Sequence, residues 1–231
     1  MAFGRRETVV DLQAIYDSWK HSCNWGSVMQ AKEHWESVYT AKRPEEVSWY
    51  SPHLETSLSL IERVAHSQSA IIDIGAGAST LAGDLVRRGF TNVTVLDVSE
   101  TALSTARQRL GISSGQIQWL IADVCETHLP QGHYDVWHDR AVFHFLMQPD
   151  RRASYVAQAS NSLKTGGCIV IGTFGPEGPT RCSGLETARY DANELQREFG
   201  DQFRLVESLA DWHTTPSGTR QQFTYSVLEK V

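Results

Sequence analysis

The sequence predicts a mixed α/β fold: a doubly wound, mostly parallel sheet of seven strands that ends in a C-terminal antiparallel hairpin, plus an N-terminal helical extension. Three observations carry this reading. Between residues 70 and 174, short apolar runs alternate with helix-like segments, as in a parallel sheet covered by helices on both faces. The last two runs, 203–213 and 220–230, flank the turn "TPSG", which is too short for a crossover and makes the pair antiparallel. A glycine-rich turn, "GAGAST", follows the first strand, where doubly wound sheets bind ligands. A chain of 231 residues suits one core of this kind, set at 53–231, with 1–52 as a helical extension or lid.

Each element has its own signal. Val9, Leu12, Ile15, Tyr16 and Trp19 recur at helical spacing over 8–20. A second helix lies within 28–50, stopped by Pro44 and followed by an aromatic loop that ends at Pro52. A third spans 54–66. Then come "AIIDIG" (70–75) and a helix at 79–89, "NVTVLDVS" (92–99) and a helix at 100–110, and "IQWLIAD" (117–123) with a loop. "YDVWHD" (134–139) precedes a helix at 149–163, and "GGCIVIGTF" (166–174) leads through a long loop to a helix near 191–199.

Bulk properties exclude several function classes. The net charge of −6 offers no electrostatic footprint for nucleic acid or an anionic membrane. No apolar run reaches bilayer length, and Glu7, Asp11 and Asp17 argue against a secretory or transit leader. The four cysteines lack paired spacing, so neither a metal site nor a disulfide framework is expected, and a reduced cytoplasmic setting follows.

The chemistry concentrates at strand ends. Gly75 and Gly77 permit a tight turn and a close backbone approach to a ligand. Thr80 stands where a dinucleotide fingerprint has its third glycine, and Asp73 would repel a pyrophosphate while suiting an ammonium or sulfonium. A plain tight turn is the competing reading. Asp97 ends the second strand 20 residues beyond Gly77, where a carboxylate accepts ribose hydroxyls, and Asp123 ends the third. Each acid alone also fits a helix or turn cap. Together they describe a pocket for a nucleoside with a positive tail.

With these residues the chain resembles the class I, Rossmann-like S-adenosylmethionine-dependent methyltransferases over about residues 54–230. "IIDIGAGAS", "VTVLDVS", "IADV" and "YDVWHDRAVFHFL" carry the resemblance. It implies S-adenosyl-L-methionine as the donor, S-adenosyl-L-homocysteine as the product, and no metal. It further implies Asp73, Gly75, Ala76 and Gly77 against the methionine portion, Asp97 with Val98 at the ribose, and Asp123 with Val124 at the adenine. Ser79 departs from the family's frequent third glycine.

Acceptor chemistry is expected after the fourth strand, with Asp139 and Arg140 pointing into the cleft and His144 one helical turn on; a buried structural pair is the competing reading. The segment is similar to that of thiopurine and thiol methyltransferases, and to that of elongation-factor lysine methyltransferases. Trp49, with Tyr50 and Phe174, is a candidate wall for a cationic centre, and His53, His138 and His144 are candidate bases. Arg181, Cys182, Arg189 and Tyr190 in the loop 175–191 are candidates for holding a polar or anionic acceptor. The resulting expectation is methyl transfer to a nucleophilic N, S or O atom of a small molecule, by a monomer or homodimer. A protein lysine is the alternative acceptor. An NAD-dependent oxidoreductase and a non-catalytic nucleoside-binding module are the more distant alternatives.

Overall fold

A computed structural model describes residues 25–231. The helix expected at 8–20 lies outside them. Helix α1 (Trp25–Ala41) is followed by a short 3-10 turn at Pro44–Glu46 and an aromatic segment, and then α2 (Glu55–Val64) leads into β1 (Ala70–Ile74). The alternation continues with α3 (Leu81–Arg87), β2 (Asn92–Asp97), α4 (Glu100–Leu110), β3 (Ile117–Ile121) and β4 (Tyr134–Arg140). Next come α5 (Pro149–Ser162) and β5 (Leu163–Phe174), and then a small hairpin of β6 (Arg181–Cys182) and β7 (Leu185–Glu186). Helix α6 (Ala192–Phe199), β8 (Phe203–Thr214) and β9 (Arg220–Lys230) complete the described chain.

The seven-stranded sheet runs β3-β2-β1-β4-β5-β9-β8, with β9 antiparallel to both neighbours. The strand order reverses between β1 and β4, which places the ligand crevice at their carboxyl ends. Most boundaries shift by one to three residues from the sequence reading, as where the first described helix begins at Trp25 and β5 begins at Leu163. Helix α3 stops at Arg87 because Gly89, at φ +89°, closes it with the Gly89 N–H on Val86 O and the Phe90 N–H on Leu85 O. The long loop 175–191 contains the β6–β7 hairpin.

Two apolar layers sandwich the sheet, and the period of two decides what each strand residue meets. Ile72, Ile74, Trp137 and Ile171 pack with Tyr155 of α5 and Phe199 of α6. Ile71, Val136 and Val170 pack with Leu58 and Ile61 of α2 and Leu81 of α3 on the other face.

Candidate active site

The turn after β1 is held from three sides. The Gly75 and Ala76 N–H groups donate to Leu96 O at 2.7 and 3.2 Å, and the Gly77 N–H donates to Asp97 Oδ2 at 2.7 Å. Arg109 of α4 donates to the carbonyls of Ala78 and Ser79. Gly75 and Gly77 have φ of +61° and +53°, and a Cβ on Gly75 would lie 1.9 Å from a Val142 methyl. Only glycine meets both demands.

Asp97 Oδ1 accepts the Ser99 N–H at 2.8 Å, while Ser99 Oγ caps α4 through the Ala102 N–H. Burial pushes the Asp97 carboxyl up to about 6, against the downward pull of the Ser99 and Gly77 amides. Glu36 of α1 reaches the same helix end: it accepts the Glu100 N–H at 2.6 Å and the Ser99 hydroxyl at 3.2 Å. Burial raises the Glu36 carboxyl, but the Thr101, Glu100 and Ser99 hydrogen bonds together leave it below its ordinary value.

Beyond these strand ends lies a cavity of about 360 Å³. Gly75, Asp97, Val98, Asp123 and Val124 form one side, and Arg140, Phe145, Phe174, Cys182 and Phe223 form another. Gln30, Ala31, His34, Trp35 and Tyr39 of α1, together with Trp49, cover it. Trp35 meets Trp49 and Phe145 edge-on at 5.6 and 5.1 Å, so the cover is an interlocked aromatic cluster. A second cavity of about 50 Å³ lies between the glycine turn and the aromatic segment, with Asp73, Gly75, Ala76, His138, Trp49 and Arg140 on its walls.

Of the acids expected to act together, Asp97 and Asp123 share the large cavity, whereas Asp73 lies on the wall of the small one. Asp73 bonds through Oδ1 to His138 Nδ1 at 2.6 Å, and its buried Oδ2 has no partner among the described residues. Asp123 faces the large cavity with both oxygens engaged, by the Cys125 N–H at 2.8 Å and by Arg151 Nη2 at 2.6 Å. Arg151 gave no signal in the sequence because its partner lies 28 residues away, with β4 between them.

Asp139 does not point into the cleft. Neighbouring strand residues face opposite sides of a sheet. Asp139 therefore turns toward α5, where it accepts the Tyr155 hydroxyl at 2.6 Å and the Val142 and Phe143 N–H groups at 2.9 and 3.1 Å. Burial pushes its carboxyl up to about 6, with those hydrogen bonds opposing. Arg140 turns the other way and borders both cavities. It donates to Trp49 O at 2.9 Å and Tyr225 Oη at 3.1 Å, and its guanidinium lies 4.6 Å above the Phe223 ring.

The three histidines expected as bases are all engaged. His53 pairs with Asp84 at 3.0 Å, and His138 is held between Asp73 and Ser57. His144 is wholly buried, stacks on Phe174 at 4.3 Å, and accepts the Phe174 N–H through Nδ1. Burial, with a smaller contribution from the Arg140 charge, pushes this imidazole down to about 3, so it is neutral. His34 was not singled out in the sequence, yet it lines the large cavity with a buried Nε2 that has no partner among the described residues. Its one legible signal was its place beside Trp35 on a helix carrying Tyr39.

The loop 175–191 contributes less than expected. Arg181 and Arg189 bond to Gly184 O and Pro176 O on the surface, and Tyr190 packs on Phe143 in the core. Cys182 does reach the cavity wall, where burial raises its thiol.

Comparison with known proteins fits this geometry. Residues 71–167 match the family model described as a methyltransferase domain. Human EEF1A lysine methyltransferase 2 is 24% identical over 203 residues, covering 79% of this chain and 78% of the relative. Mouse eEF1A lysine and N-terminal methyltransferase is 20% identical over 161 residues, and the alignment spans only 22% of its length. The chain also shares its fold with Burkholderia thailandensis 1,6-didemethyltoxoflavin-N1-methyltransferase, whose structure holds 1,6-didemethyltoxoflavin and S-adenosylhomocysteine. That likeness has a TM-score of 0.63 at 18% identity and covers all of this chain and 94% of the other. The chain thus carries a methyltransferase domain and is an S-adenosylmethionine-dependent methyltransferase with a Rossmann-like fold.

Proposed function

We propose that this enzyme methylates a small, largely apolar acceptor enclosed in the large cavity. The observation that carries this reading is the cover: α1 and Trp49 close over the cavity, and Glu36 fastens α1 to the start of α4. An acceptor of that kind suits walls made of Phe145, Phe174, Phe223 and Trp49, with Nε and Nη1 of Arg140 already held by Tyr225 and Trp49. Residues 1–52 are assigned as the lid and 53–231 as the methyltransferase domain.

The residues fit the donor. Asp73 has an unpartnered carboxylate oxygen and shares a small cavity wall with Arg140, an acid and a base that suit an α-amino acid's ammonium and carboxylate. Gly75, Ala76 and Gly77 supply close-approach backbone beside that cavity. Asp97 with Val98 serves the ribose, and Val124 with Asp123, which keeps spare lone pairs beside Arg151, serves the adenine. Bound there, the donor supplies a methyl group already activated on a sulfonium. The chain's work is to orient the acceptor and exclude water. Aromatic rings at Trp49 and Phe174 favour nearby positive charge. Asp139 and His144 act as supports beneath the wall, and His34 is the histidine suited to take a proton from the acceptor. The free thiols of Cys125, Cys168 and Cys182 support a reduced, cytoplasmic setting.

A protein lysine is the second reading, favoured by the likeness to human EEF1A lysine methyltransferase 2. Incubation with radiolabelled methyl donor and cell extract separates the two. Label in the small-molecule fraction is expected; label confined to protein would replace the first reading with the second.

A further inference from the structure

Beneath the glycine turn lies a buried polar chain that methyl transfer itself does not require. Asp73 and His138 are register partners on adjacent parallel strands and face the α2 side of the sheet. His138 Nδ1 donates to Asp73 Oδ1 at 2.6 Å. On its far side, Nε2 meets Ser57 Oγ of α2 at 2.9 Å. All three residues are at most 2% exposed. Both ring nitrogens are therefore fixed, and the ring cannot turn without breaking two buried hydrogen bonds.

What distinguishes this arrangement from an ordinary satisfied core histidine is the oxygen left over. Among the described residues, buried Asp73 Oδ2 has no hydrogen-bond partner, which is costly for a carboxylate unless something arrives to use it. Among the described residues, Asp73 is the one acid on the wall of the 50 Å³ cavity beneath the turn. That volume admits a small polar group or a few waters.

We propose that His138 is a positioning residue of the donor site: it clamps one Asp73 oxygen, with Ser57 behind it, so that the other is presented to the donor's α-ammonium. This deepens the proposed placement of the donor's amino-acid end and rests on it. A carboxylate without the clamp could rotate about its terminal torsion, which is broad and soft. The clamp holds one rotamer before the ligand arrives, and pre-organised polar groups bind with less reorganisation.

The test is calorimetric titration of the full chain with two ligands. S-adenosylhomocysteine carries the α-amino acid, whereas 5′-methylthioadenosine keeps the nucleoside and thioether but lacks it. His138→Leu is expected to weaken S-adenosylhomocysteine about 10- to 140-fold, the scale of losing a hydrogen bond to a charged group. Affinity for 5′-methylthioadenosine should stay within about two-fold, as for a change that leaves the nucleoside pocket intact. A conservative pair guards against misfolding. The amide nitrogen of His138→Asn takes the place of Nδ1 and should restore most of the loss, whereas that of His138→Gln falls near Nε2 and should not. Equal weakening of both ligands, or Asn and Gln variants that behave alike, would overturn the clamp. Failure of the unaltered chain to bind S-adenosylhomocysteine would instead overturn the donor placement itself.

Discussion

The Gly77 N–H sits 2.7 Å from Asp97 Oδ2, so the turn after β1 is tied to the end of β2 by one buried hydrogen bond. Asp97 therefore has two tasks, shaping the turn and serving the proposed ribose site. Asp97→Ala should weaken S-adenosylhomocysteine by about 1–3 kcal/mol, the cost of losing a charged partner. Calorimetry reads this directly, and unchanged affinity would place the ribose elsewhere.

Gly77 also carries a steric prediction. A Cβ there would lie 2.2 Å from Tyr39 Oη, at φ +53°. Gly77→Ala should cost on the order of 1–2 kcal/mol from the left-handed backbone alone, and more through displacement of Tyr39. Tyr39→Phe removes the clashing hydroxyl, so the two substitutions should couple by more than about 0.5 kcal/mol in a double-mutant cycle. Strict additivity of urea midpoints would mean that α1 does not rest on the turn in solution.

Glu36 fastens the cover through the Glu100 and Thr101 amides and the Ser99 hydroxyl. Glu36→Ala should lose about 1 kcal/mol of helix-end stabilisation. It should also raise amide exchange in α1 ahead of the core. Because hydrogen bonds hold this carboxyl below its ordinary 4.5, its contribution is present above that pH and fades in acid. Exchange in α1 that is the same in variant and parent would remove the latch.

The legibility of this molecule follows its physics. Period-two runs and short turns revealed the sheet, and Gly75, Asp97 and Val124 border the ligand crevice because strand ends do so in any doubly wound sheet. What stayed hidden depends on contacts distant in sequence. The Glu36–Glu100 bond joins residues 64 apart, and nothing in the composition of α1 announces that a carboxylate will cap a foreign helix. Asp139 and Arg140 were legible as chemistry-bearing types, but only Arg140 borders the cavities; Asp139 was misread in direction, although strand alternation already forbade both from facing one cleft. His138 looked like a candidate base, and its hold on Asp73 required the β1–β4 register, which no local pattern supplies.

Asp139 is expected to act on stability before turnover. Asp139→Ala would strand the Val142 and Phe143 amides and the Tyr155 hydroxyl in a buried site. The loss should be on the order of 3 kcal/mol by urea denaturation. A variant as stable as the parent but inactive would return Asp139 to the reaction itself.

His144 gives the sharpest pH test. Its imidazole titrates near 3 in the folded chain against an ordinary 6.5, so between those values the unfolded chain holds a proton that the native one lacks. Its contribution is thus complete above about pH 6.5 and is lost progressively on acidification, with a slope of about 1.4 kcal/mol per pH unit. Asp97 and Asp139 run the opposite way. Each is raised from 3.8 to about 6, so the native chain keeps protons that the unfolded one has released, and their contributions are lost as pH rises through 6. The total curve mixes these trends, but a comparison of variants isolates one. The side-chain oxygen of His144→Asn can replace Nδ1 as acceptor for the Phe174 N–H and does not titrate. Relative to the parent, this variant should gain about 1.4 kcal/mol per unit as pH falls from 6 to 4, read from urea midpoints across a pH series. Parallel curves would mean that His144 is solvated rather than buried. Retained methyl transfer in the same variant would separate its structural part from any role as a base, because an asparagine cannot take the acceptor's proton.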